Sequence, residues 1–205
     1  MRFNPCMAYR RTPGVQARLT ASRDRIVAAA LEIVAEGGYR ACSVAAVADR
    51  AGVATGSVYQ HFRGKAALMA EVFRTASGRE VDAVARAAAL EDTAREAVAA
   101  TVETFAGRAL RAPRLAYALL AEPVDPAVEA ERLVFRRAYA EVIAAFVADG
   151  VASGELPPQD PRLSATALVG AVGEALVAPL AEGGLAPGTL PDLIRFAHRA
   201  LGVAP

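Results

Sequence analysis

Thr55, Gly56, Ser57, Tyr59, Gln60, His61 and Lys65 all fall within one short stretch, TGSVYQHFRGK. Their chemistry is that of recognition rather than of bond making. The amide of Gln60 matches the donor–acceptor edge of adenine, and Thr55 offers a methyl to thymine or a hydroxyl to a base. Gly56 leaves no side chain where a backbone must approach a partner closely. Lys65 adds an ammonium at the start of a helix, whose free N–H groups already attract anions. It is the single lysine of the chain. No nucleophile–base pair, metal-ligand cluster or glycine-rich phosphate loop stands out along the sequence, so no catalytic residue, metal or cofactor is expected.

The elements that hold these residues are legible upstream. Ser43 is placed to cap a short helix whose Val44, Val47 and Ala48 form an apolar stripe. Ala48 is small, as a close helix crossing demands. Gly52 stands where a tight turn needs positive φ, and Val53 follows as its apolar plug. Thr55 is expected to cap the second helix, with Val58 and Phe62 as inward anchors. Two short helices joined by such a turn form a helix-turn-helix, whose second helix lays its first residues on base edges in the major groove. Ser43, Thr55, Gly56, Ser57, Tyr59, Gln60 and Lys65 are therefore candidate DNA-binding residues.

Tyr59, Gln60, His61, Phe62 and Lys65 resemble the Y-x-H-F-x-x-K signature of the TetR family of bacterial transcriptional regulators. Arg25-Ile26-Val27, Ala30-Leu31, Gly37, Val47-Ala48 and Ala51-Gly52-Val53 fit the same pattern, so the resemblance is dense over Ser22 to Phe73. It implies that Tyr59, His61 and Lys65 contact phosphates; the competing reading of His61 is an ordinary surface histidine. It also implies an effector cavity among the middle helices, a homodimer, and release from a palindromic double-stranded DNA operator by a small molecule.

The 205 residues are 54% hydrophobic but only 6% aromatic, without tryptophan, so the core must be built from Ala, Val and Leu. Those residues favour helices, and the chain is expected to be all-α. The net charge of +1 conceals an asymmetry. Residues 1–80 carry 12 basic against 6 acidic side chains, and residues 81–205 carry 11 against 16. A basic end on an acidic remainder suits a protein that touches a polyanion with one end. Cys6 and Cys42 lack the spacing of a metal site or disulfide framework; Cys42 is read as a small apolar residue, with redox sensing as the alternative. The first twenty residues lack an apolar secretory core, and the apolar stretch Leu163–Ala181 is broken by Ser164, Thr166, Glu174 and Pro179. A cytoplasmic protein without a membrane span is expected.

Along the chain the reading is a flexible basic arm (1–19), a helix-turn-helix domain (20–66) and a helical effector-binding and dimerisation domain (67–205). Arg10, Arg11, Arg18 and Arg23 either follow the DNA backbone or merely solvate the arm. The first helix is expected over Ser22–Glu36, with Gly37-Gly38 ending it, and Gly78 is expected to interrupt the fourth. Further helices are expected near 92–110, 113–121, 126–152, 161–181 and 190–201, between the proline and glycine breaks. The 126–152 segment is apolar on several sides and should be buried. Phe105, Tyr117, Leu119, Phe135, Tyr139 and Phe146 are the candidate pocket residues, pointing to a mostly apolar effector; plain core packing is the alternative for each. Gly170 and Gly173 would let a partner helix come close. Glu174, alone in an apolar run, either pairs with an arginine at the dimer interface or faces the cavity. Two other classes compete. A helical DNA-binding protein without an effector would lack a cavity, and an enzyme on a helical scaffold finds no chemical support in the sequence.

Overall fold

The structure, a computed structural model, describes residues 12–203. All its regular elements are helices: α1 (Pro13–Ala41), α2 (Val44–Ala51), α3 (Thr55–His61), α4 (Lys65–Ala88), α5 (Ala94–Arg111), α6 (Pro113–Leu120), α7 (Pro126–Ser153), α8 (Pro161–Glu182) and α9 (Thr189–Leu201). The all-α expectation holds, and the five C-terminal helices begin and end within a few residues of their proline and glycine signals.

Helix α1 starts well before Ser22. Thr12 caps it, accepting from the Val15 N–H at 3.4 Å, and Pro13 supplies the preset φ of a first helical turn. Most of the side chains before Ile26 are exposed, so this segment shows no apolar period, and period was the signal by which the start was sought. Arg10, Arg11 and Cys6 lie outside the described residues. Arg18 is exposed on α1, whereas Arg23 is tied down by Glu71 at 2.8 Å and by the Phe62 ring at 5.3 Å. Gly38, at φ 77°, kinks the far end of α1 as the glycine pair suggested. Gly78 does not break α4, which runs unbroken; neighbouring Ala76 and Ser77 are buried, and packing holds the helix together.

Two cores result. The first joins Ile26, Ala30 and Val34 of α1 to Val47, Val58, Phe62 and the α4 residues Leu68, Met69, Val72 and Phe73, and it takes in Ala118 and Val128 from further along the chain. The second is built by α5 to α9 around Val98, Val102, Ile143, Val147, Leu168, Leu176 and Leu201. Each large side chain so buried contributes about 1.5–3 kcal/mol. Helix α4 therefore begins inside the first core and continues toward the second, a rigid rod between them.

Helix α7 is not buried all round. Val128, Ile143, Val147 and Gly150 are interior, but Leu133 and Val134 are about half exposed. Helix α8 is likewise two-sided. Ala165, Leu168, Val172, Leu176 and Leu180 face the second core, while Leu163, Ala167, Gly170, Glu174, Ala178 and Ala181 are exposed at helical spacing. Its length and mean hydropathy of 1.6 would suit a membrane span. One face, however, packs on the second core, and the other carries Glu174 at its centre.

Candidate nucleic-acid interface and interior cavity

Helix α2 opens as expected: the Ser43 Oγ accepts from the Ala46 N–H at 3.1 Å. Gly52 closes it in the left-handed conformation (φ 65°, ψ 39°), and Val53 packs on the first core. Thr55 does not cap α3. Ala54 holds the extended cap position without a side-chain bond, and Thr55 is the first residue inside the helix. Its hydroxyl is thereby not committed as a cap. Val58 and Phe62 anchor α3 in the core, which leaves Thr55, Gly56, Tyr59 and Gln60 exposed and Ser57 and His61 half-buried. Tyr59 is 56% exposed, an unusual position for a large aromatic ring in a free surface helix. Nothing lies within 4 Å of where a Gly56 side chain would begin, so another molecule can approach the backbone there.

Lys65, at the first turn of α4, is not a free cation. Its Nζ donates to the Tyr39 carbonyl at 3.3 Å and lies 4.3 Å from the centre of the Tyr39 ring. An ammonium has three donors, so this clasp leaves capacity for an anion. Tyr39 belongs to a cluster that the sequence reading missed. The break at Gly38 frees the Tyr39 and Arg40 N–H groups from helical partners, and both donate to buried Glu122, at 2.7 and 3.4 Å. The Tyr39 hydroxyl donates to Asp125, and burial together with that carboxylate pushes the phenol pKa up. A side chain at Gly38 would begin 2.9 Å from the Glu122 Oε2, so only glycine satisfies both the space and the positive φ.

Arg132 of α7 completes the cluster. Its guanidinium donates to the carbonyls of Ala118 (3.1 Å), Leu119 (2.9 Å) and Glu122 (2.8 Å) and pairs with Glu129. Carbonyls at a helix C-terminus have no partner within their helix, and the fork of an arginine reaches several at once. An unpaired acidic Glu122 between prolines, eighty-odd residues from Gly38, gave no local signal of this contact.

Cys42 is free and almost wholly buried, and burial pushes its thiol pKa up to about 11. A thiol that stays protonated near neutral pH is a poor redox sensor, and the packing role prevails.

Helices α4 to α8 line a cavity of about 910 Å³ that opens to the surface beside exposed residues such as Leu133 and Glu174. Phe105, Leu119, Phe135 and Tyr139 of the expected pocket set line it; Tyr117 and Phe146 instead pack on the second core. The Phe105 and Tyr139 rings meet edge-to-face at 5.4 Å. Val102, Ile143, Leu168 and Val172 supply further apolar wall. Polar side chains make up a third of the lining residues, Arg136, Arg137 and Glu174 among them, and several are matched within the protein. Arg108 and Glu80 bind each other through two hydrogen bonds, one of them 2.8 Å, and Arg132 is occupied as described. Burial holds the Tyr139 phenol pKa well above its ordinary value, so it remains a neutral group that can donate or accept. Gly170, Gly173 and Glu174 touch the cavity from α8. Glu174 is exposed in the single chain rather than buried, and open space surrounds the Cβ positions of both glycines.

Residues 26–72 match the family described as bacterial regulatory proteins of the tetR family. The fatty acid metabolism regulator protein of Bacillus subtilis is 25% identical over 153 residues, which is 73% of this chain and 79% of that protein. The transcriptional repressor KstR of Mycolicibacterium smegmatis is 44% identical over 62 residues, 30% of this chain and 28% of that one. Among solved structures, the regulator FadR of Bacillus subtilis in complex with stearoyl-CoA superposes with a TM-score of 0.68 at 22% identity, over 87% of this chain and 95% of that chain.

Proposed function

We propose, from the match of residues 26–72 to the tetR family of bacterial regulatory proteins, that the chain is a TetR-type regulator: a cytoplasmic, homodimeric repressor released from its operator by a long-chain acyl compound. The observation that carries the effector half of this reading is the cavity: about 910 Å³, walled mainly by apolar side chains and placed beside α4. That volume lies toward the upper end of the roughly 300–1,000 Å³ usual for small-molecule sites. A relative named for fatty acid metabolism, and the acyl-CoA held by a structure of the same fold, supply the ligand class. The shorter KstR match does not bear on the cavity, because it covers less than a third of this chain.

On the DNA side, Thr55, Gly56, Ser57 and Gln60 meet base edges, Ser43 approaches the backbone at the start of α2, and Tyr59, His61 and Lys65 take phosphates. One such head makes too few base contacts to outcompete non-specific DNA, so two are required. The exposed small-residue side of α8, with Gly170 and Gly173, is where the second copy packs, and Glu174 stands at that seam beside the cavity. A two-fold dimer reads a palindrome. Random-site selection should therefore return inverted repeats, and palmitoyl-CoA or stearoyl-CoA should release the protein from them at micromolar concentration. Asymmetric sites would overturn the dimeric reading, and a complex indifferent to every acyl-CoA would overturn the effector class.

Lys65→Ala separates two roles for the clasp. As a phosphate ligand, Lys65 lowers the slope of log affinity against log salt by about one unit per subunit when removed. As a clasp on Tyr39 alone, it alters affinity with the slope unchanged. The expected result is the reduced slope, measured by salt titration of parent and variant on one operator.

A further inference from the structure

We infer that Thr101 is a specificity residue of the cavity, set to hydrogen-bond an oxygen function, hydroxyl or carbonyl, carried within the apolar body of the effector. This rests on the cavity being the effector site. Thr101 lies on α5, is 5% exposed and lines the cavity. Its Oγ1 is the single buried side-chain polar atom among the described residues that has no hydrogen-bond partner. A helical threonine commonly returns its hydroxyl to the carbonyl one turn back. Thr166 does so, onto Arg162 at 2.8 Å. Thr101 does not.

The surroundings give the hydroxyl no substitute. Val102 follows it, and Phe105 lies one turn further along the same wall. The nearest charged group on α5 that lines the cavity is Arg108, two turns on, roughly 10 Å at 1.5 Å per residue. That guanidinium is already matched by Glu80. A saturated hydrocarbon chain passing Thr101 leaves that hydroxyl without a partner, as it is in the ligand-free protein, and gains nothing from it. A chain with one hydroxyl or keto group at that point pairs with it, because the threonine hydroxyl both donates and accepts. The cavity thus favours an oxygenated chain over a plain one, by about tenfold for one hydrogen bond made rather than lost.

The test is calorimetric titration of the full chain and of T101V and T101S. The ligands are palmitoyl-CoA and its counterparts bearing one hydroxyl or keto group at successive positions. The parent should prefer at least one oxygenated chain by about tenfold. T101V should abolish the preference, binding the oxygenated chain about tenfold more weakly and the plain chain about as before, whereas T101S keeps the parent's preference. A role in packing alone would move both ligands in the same direction. Valine also replaces an unpartnered hydroxyl by a methyl of similar shape, so T101V should melt no lower than the parent. A lower melting point restored in T101S would reveal an internal partner and overturn the inference. So would a parent without preference at any position, or a T101V that retains one. If no acyl-CoA binds, the acyl reading of the effector fails separately. Linear alkanols and ketones, titrated against alkanes of the same length, then decide Thr101 by the same loss of preference in T101V, and failure of all of them to bind overturns both.

Discussion

Ala140→Phe should raise the effector concentration needed for operator release at least a hundredfold while leaving operator affinity without effector nearly unchanged. Ala140 is a small residue of the α7 wall, half-buried between the second core and the cavity. A phenyl group grown from it enters space that is open in the present structure, so little of the roughly 1–3 kcal/mol typical of overpacking a filled core is expected. The same phenyl occupies volume that a ligand in the cavity would need. Loss of several buried CH₂ contacts, at about 0.8 kcal/mol each, accounts for a factor of a hundred or more. The check is paired: thermal melting to show an intact fold, then operator binding across an effector series. An unchanged effector response with an unchanged melting point would place the ligand elsewhere.

The sequence disclosed the DNA-facing end of this protein far better than the regulatory end, for a physical reason. A helix-turn-helix is specified by neighbours in the chain: Ser43 three residues from the N–H it caps, Gly52 in its turn, Val58 and Phe62 one turn apart. Local geometry of that kind leaves a local trace. Thr55 misled only because Ala54 takes the cap position with no side-chain bond, a cap that has no residue signature. The cavity is different, since its walls come from five helices spread over a hundred residues. Bulky residues in the right segments identified Phe105, Leu119, Phe135 and Tyr139. Nothing in the sequence told these from Tyr117 and Phe146, whose rings turn to the neighbouring core instead. Glu174 looked like a buried charge because its chain neighbours are apolar; α8 is two-sided, and the residue falls on its exposed side. The Glu122–Tyr39 contact joins positions too distant for any window of sequence to link.

That same contact carries the second large expectation, that Glu122→Gln lowers the melting point by roughly 3–12 °C and weakens the coupling between effector and operator. The buried carboxylate accepts the two N–H groups released by the kink at Gly38. An amide has only one acceptor oxygen and turns an NH₂ toward one of those donors. Losing one charge-assisted bond and leaving an N–H unpaired costs about 1.5–3 kcal/mol, and each kcal/mol shifts the midpoint by about 2–4 °C in a chain of this size. The effect on coupling follows from what else the cluster touches. Arg132 lines the cavity and grips the Glu122 carbonyl; Glu122 grips α1 at Tyr39; and Tyr39 grips Lys65 at the start of α4. A ligand that displaces Arg132 thus pulls on the residues that seat α3 and α4. Coupling is the ratio of operator affinities without and with effector, and a ligand changes it only through an element that both sites bias. If the Glu122 clasp is that element, the ratio in Glu122→Gln falls at least fivefold at a temperature where the variant is fully folded. A lower melting point with an unchanged ratio would reduce the clasp to a structural tie, and the signal would then have to pass along α4 alone.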